Sequence, residues 1–253
     1  MAVLDLSAEV WRDALAMPLG QEPDILILEG TWWRERAVAR RLAHLGDVAE
    51  IAFPDMFVGR HGDARVAYCC AYGAARAVEP AHIFAQMGTK LIVQIGTCGA
   101  IDPALRAGMV MVPQTVAARD GISQLYGAPD VQTLDSYWVD RARQVVTQMG
   151  FQYRGGGHLT WPSLFAQSDA MCTGWAAEGL VSVDMEASAT VAAAAHFGVP
   201  AIALLSVWDA LPEGKTFLDP LDPAASAALA RADEAVFDVA LRLAGEVARR
   251  RAA

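Results

Sequence analysis

The sequence predicts an α/β fold, a central β-sheet covered by helices on both faces. Stretches of strand length alternate with stretches of helical spacing along the chain. Several strand-like stretches are apolar almost throughout, as strands are when buried on two faces. The 253 residues are 54% hydrophobic and 19% charged, enough to bury a sizeable core. No internal repeat, long linker or low-complexity tract interrupts the pattern, so residues 1–253 read as a single domain.

The elements follow in order. "PDILILEG" (23–30) is a short apolar strand ending in glycine, and 33–46 has helical spacing with a C-terminal glycine stop. Residues 64–73 read as strand then turn, and 74–88 as a helix that tolerates Pro80. "TKLIVQIGTCGAI" (89–101) is a buried strand running into a glycine-rich turn. Residues 108–121 are β-rich, 122–133 a loop, and 135–150 an amphipathic helix. Buried strands at 179–184 and 200–209 flank a helix at 185–197. The Pro- and acid-rich 210–224 is a loop, and 223–253 a long terminal helix.

Composition excludes some partners. No apolar run reaches the ~18 residues of a membrane span, and the N-terminus lacks the basic start of a secretory signal. A formal charge of −9 argues against nucleic acid, which calls for a basic face. Cys69, Cys70, Cys98 and Cys172 form no CxxC pair, and no histidine stands at zinc-ligand spacing from them. They read as reduced thiols of a cytoplasmic protein, and no metal is expected.

Ligands of α/β sheets bind beyond the carboxyl ends of strands. Four such ends carry chemistry: Gly30 to Arg34, Gly96 to Gly99, Asp184 to Glu186, and Asp209. "IGTCGA" (95–100) offers a glycine turn and the Thr97 hydroxyl, an anion nest or an ordinary turn. Arg34 is placed either to reach an anion there or to sit in solvent. Asp184 and Glu186 open an uncharged, hence buried, helix; they fit helix capping as well as a site. Asp209 ends a buried strand, as turn former or as general acid with a raised pKa.

Together, "VQIGTCGAIDPALRAGMVMVPQTVAARDGIS" (93–123), "VDMEASA" (183–189) and "SVWDAL" (206–211) resemble the nucleoside phosphorylase family of purine nucleoside phosphorylases, uridine phosphorylases and methylthioadenosine nucleosidases. The resemblance spans roughly residues 23–240 and implies that family's fold, with a central mixed sheet flanked by helices. It implies phosphate binding by Gly30, Arg34, Thr97 and Gln94, and ribose binding by Met185 and Glu186. Phe165, or Trp161, would stack on the base, and Asp209 would contact it. Inorganic phosphate would be co-substrate, with no other cofactor, and the chain would form homo-oligomers built on dimers, up to a hexamer. Gln94 stands where phosphorylases carry arginine, Asp184 shortens the first acid of the Glu-Met-Glu signature, and Trp208 replaces the serine before Asp209.

The expected function is phosphorolysis of a purine-like or modified nucleoside to free base and (deoxy)ribose 1-phosphate. The alternative is a phosphate-independent nucleosidase, which Gln94 favours. A non-catalytic nucleoside binder is a third reading. A dehydrogenase is disfavoured because no GxGxxG follows the first strand.

Overall fold

The computed structural model describes residues 6–17 and 20–252. Its twelve strands are β1 (Ile25–Gly30), β2 (Gly46–Glu50), β3 (Met56–His61), β4 (Ala64–Cys70), β5 (Leu91–Ala100), β6 (Val110–Met111), β7 (Thr115–Ala118), β8 (Val131–Thr133), β9 (Tyr153–Arg154), β10 (Gly157–Thr160), β11 (Leu180–Asp184) and β12 (Ala201–Ala210). Its helices are α1 (Ala8–Ala14), α2 (Arg34–Leu42), α3 (Ala74–Gln86), α4 (Ser136–Gln148), α5 (Asp169–Ala177), α6 (Ala187–His196) and α7 (Pro223–Ala252). All strands join one mixed sheet, ordered β2-β3-β4-β1-β5-β11-β10-β7-β8, with β12 on β5 and a β6–β9 branch on β12. This is the mixed α/β architecture expected. Among the described residues no helix is long and apolar enough to cross a membrane.

β5 is the centre of the molecule because its residues are apolar on both faces. Its first half lies parallel between β1 and β12, and its end pairs antiparallel with β11 at Gly99 and Ala100. The glycine-rich segment is therefore not the turn that the sequence suggests. Residues 96–98 continue the ladder, with Thr97 opposite Ser206 and Cys98 opposite Val207. Glycine makes this possible at Gly96, whose φ of 152° L side chains rarely adopt. A Cβ there would lie 2.9 Å from the Gly30 carbonyl oxygen, so β1 and β5 approach too closely for any side chain.

Other departures lie away from the central strands, where β2, β3, β10 and α5 were not anticipated. The 122–133 loop contains a short 3₁₀ turn at Ser123–Tyr126 and the edge strand β8. A second 3₁₀ turn, Leu211–Glu213, opens the loop after β12.

Candidate functional site

A cavity of about 500 Å³ opens where the ends of β1, β5, β11 and β12 meet, a size suited to a small organic ligand. Gly30, Thr97, Met185, Glu186 and Asp209 all line it. Thus one residue or more from each of the four strand ends reaches the same space.

Glu186 is 5% exposed and is held by a hydrogen bond from the Gly73 backbone N–H to its Oε1, 2.6 Å. Gly30 makes room for it: a Cβ at that position would lie 2.5 Å from Glu186 Oε2. Burial, then the nearby Asp184 charge, pushes the Glu186 carboxyl up to about 8, against hydrogen bonds from Gly73 and Met185. Asp184 accepts from the Ala187 N–H at the start of α6, at 2.9 Å. It also accepts from Thr160 Oγ1 at 2.7 Å and lies 3.1 Å from His158 Nε2. His158 in turn contacts Ser182 Oγ at 2.7 Å through Nδ1. The N-cap position is thus Glu186, which makes no side-chain cap and faces the cavity, while Asp184, two residues earlier, satisfies the first N–H of α6.

Asp209 stands at a bulge. β12 pairs with β5 residue by residue to Val207↔Cys98, then resumes at Ala210↔Ala100 with one extra residue. The bulge lets consecutive residues Trp208 and Asp209 both line the cavity, where a regular strand would alternate them. Burial pushes the Asp209 carboxyl up to about 6. Cys98, also in the wall, is pushed up by burial and by the Asp209 and Asp184 charges, which leaves its thiol protonated.

Four expected residues lie elsewhere. Arg34 is not in the cavity wall; it pairs with Asp55 at 3.2 Å in an adjoining hollow that Arg76 also lines. The reason is helical phase: two residues turn a helix by about 200°, so Arg36, and with it Ala37 and Arg40, faces the cavity instead. Gln94 is fully buried on the α6 side of β5, where it accepts from Thr190 Oγ1 at 2.8 Å and donates to the Ile95 carbonyl at 3.0 Å. Its amide is therefore engaged within the core. Trp161 packs on Trp175 at 5.5 Å and donates its indole N–H to the Ala166 carbonyl, outside the cavity wall. Phe165 is 74% exposed and rests on Trp32, 5.9 Å between centroids.

Trp32 and Trp33, bulky residues that hint at an altered pocket, and Trp208, which replaces the expected serine, do line the cavity. The sequence reading missed other wall residues: Tyr72, Phe217, Glu29, Arg36, Arg40 and Asp233. Tyr72 could have been inferred, since it follows an apolar strand at the same sheet edge. Asp233 could not, because it comes from mid-helix in α7. Among the described residues no group of three or more His, Cys, Asp or Glu is arranged to hold a metal ion.

The mixed sheet and the carboxylate-lined cavity at its strand ends agree with the family that the sequence motifs resemble. The chain belongs to the Phosphorylase superfamily, whose family model matches residues 28–243. It is 26% identical over 143 residues to a DeoD-type purine nucleoside phosphorylase of Caldanaerobacter subterraneus, covering 52% of this chain and 62% of that protein. It is 28% identical over 130 residues to the DeoD-type enzyme of Geobacillus kaustophilus, covering 51% and 55%. The match thus spans little more than half the length of these relatives. Among solved structures, uridine phosphorylase of Vibrio fischeri superposes with a TM-score of 0.74 at 17% identity over 86% of this chain and 89% of that one. The 5′-methylthioadenosine/S-adenosyl homocysteine nucleosidase of Campylobacter jejuni gives 0.70 at 15% identity over 87% and 97%. At such identities the structural likeness speaks for the fold.

Proposed function

We propose that this protein cleaves the N-glycosidic bond of a purine-like nucleoside, with inorganic phosphate as the attacking group. The products are the free base and (deoxy)ribose 1-phosphate. One observation carries the reading: Glu186, Met185, Thr97 and Asp209 border one cavity. The purine assignment draws on Asp209 and on the names of the partial relatives.

Cleavage of a ribosyl C–N bond passes through an oxocarbenium-like sugar, as glycoside cleavage does. Glu186, fixed by the Gly73 N–H and given room by Gly30, holds the sugar hydroxyls by hydrogen bonds, which its protonated carboxyl can donate as well as accept. Met185 packs against the sugar. Asp209, raised to about 6, retains a protonated fraction near neutral pH and gives its proton to the departing base. Thr97 donates to the phosphate, and Arg36 is the wall arginine without an ion-pair partner among the described residues.

A second reading, hydrolysis, is favoured by a specific observation. Gln94 is engaged in the core and Arg34 lies outside the wall, while Glu29, Asp184, Glu186, Asp209 and Asp233 make the wall acidic. Water needs no cationic clamp. The test is base release from inosine, adenosine and uridine, with and without phosphate. Release that requires phosphate and yields a sugar phosphate supports phosphorolysis. Phosphate-independent release establishes the nucleosidase, and no release from any nucleoside removes both readings.

A further inference from the structure

Two tryptophans at the cavity are unexplained by the chemistry above. Trp33, in the turn between β1 and α2, is 51% exposed. Trp208 is half-buried at the β12 bulge. Neither belongs to the hydrophobic core, yet their rings stack at 5.5 Å with planes 26° apart. The two elements are far apart in sequence, and both rings line the cavity wall. Large aromatic surface left open to a cavity costs solubility unless a ligand covers it. The expected stacking residue, Phe165, is mostly exposed and outside that wall.

We propose that the Trp33–Trp208 stack is the platform for the base, and that it selects flat bicyclic or larger bases over monocyclic ones. The inference rests on the nucleoside-cleaving reading above. The bulge sets stacking surface and proton donor on consecutive residues of one anchored strand. A base lying on this wall is held beside the Asp209 carboxyl. Trp33 keeps the Trp208 ring from rotating away, so the surface is preformed. Stacking on an aromatic face depends on overlap and tolerates changes at the ring edge. A purine covers more of an indole than a pyrimidine does, and a tricyclic base covers more again.

The test compares Trp208→Leu, Trp208→Phe and Trp33→Leu with wild type after thermal melts confirm folding. Substrates are adenosine, inosine, the tricyclic 1,N6-ethenoadenosine, and uridine. Binding of free adenine and free uracil is followed separately by quenching of tryptophan fluorescence. Loss of one stacked contact is expected to lower kcat/KM for the purines by about tenfold or more, mostly through KM. Uridine should change much less, and Trp208→Phe should recover most of the loss. Adenine quenching should fall in Trp208→Phe and in Trp33→Leu. Unchanged purine-to-uridine ratios, or an equal loss for every substrate, overturn the platform while leaving the cleavage reading intact. If wild type cleaves nothing, that reading fails; adenine binding weakened more than uracil binding by Trp208→Leu would still uphold the platform, and equal weakening would overturn it.

Discussion

Asp209 and Glu186 show how one physical effect, burial, serves two ends. Burial raises both carboxyls, Asp209 to about 6 and Glu186 to about 8. On the proposed reading the protonated Asp209 is the active form, so kcat/KM should be highest below pH 6 and decline as pH rises through it. Asp209→Asn should lower kcat by about 10²–10⁴-fold and abolish that limb of the profile. Glu186 yields a stability prediction. Its folded pKa lies above the ordinary 4.5, so the folded state binds the proton more tightly than the unfolded chain. Its contribution is fully present below pH 4.5 and is lost as pH rises through 8. Glu186→Gln removes the ionisable group but keeps an oxygen for the Gly73 N–H. At pH 8 it should therefore be more stable than wild type, by on the order of 2 kcal/mol in urea unfolding, while losing turnover. Equal stability at pH 8 would count against a buried Glu186 charge. The carboxylates were legible in the sequence because a charge ending an apolar strand needs a reason. Gln94 and Arg34 were not: which face of a strand or helix a residue takes depends on where the neighbouring elements lie.

The pairing of β1 with β5 brings Gly30 opposite Gly96, and the two glycines carry different constraints. At Gly96 a side chain would meet the Gly30 backbone and adopt an unfavourable φ, neither of which can relax. Gly96→Ala should lower stability by about 1–3 kcal/mol, read from chemical denaturation. At Gly30 the clash is with the Glu186 carboxylate, a side chain that can move. Gly30→Ala should therefore leave the melting temperature within a few degrees of wild type and raise KM for the nucleoside by tenfold or more, because Glu186 is displaced. Similar melting losses for both variants would contradict this division. The central elements could be read from the sequence because two-faced burial makes β1 and the first halves of β5 and β12 apolar almost throughout. The missed ones lack that signature. β2 is exposed at every position, and β10 begins on the last residue of the glycine run 155–157, which reads as loop. α5 did leave a signal, since Ser168 caps it by accepting from the Met171 N–H.

At the scale of the whole molecule, the back of the cavity is joined to the terminal helix by a buried ionic cluster. Arg41 on α2 is fully buried and donates to both Glu29 oxygens on β1, at 3.0 and 3.1 Å. It also donates to Asp233 Oδ1 and to Glu234 on α7, at 3.0 and 3.1 Å. Tyr68 on β4 completes the shell of Glu29 with a 2.7 Å bond. Three elements thus meet at one guanidinium, with β4 joined through Glu29, and its planar set of five N–H donors is what allows it. Removing Arg41 leaves Glu29 buried with one hydroxyl and the more distant Arg40, 3.8 Å away. Arg41→Met should then cost about 3–5 kcal/mol, mostly from the uncompensated carboxylate. Adding Glu29→Gln to that variant should restore part of the loss, which a simple packing defect would not allow. Because Glu29 and Asp233 line the cavity, the single variant should also weaken nucleoside binding. The loss should change little between low and high salt, since a fully buried pair is poorly screened. A strongly salt-dependent loss, or no recovery in the double variant, would show that α7 is held by its apolar face and that the cluster is incidental to the fold.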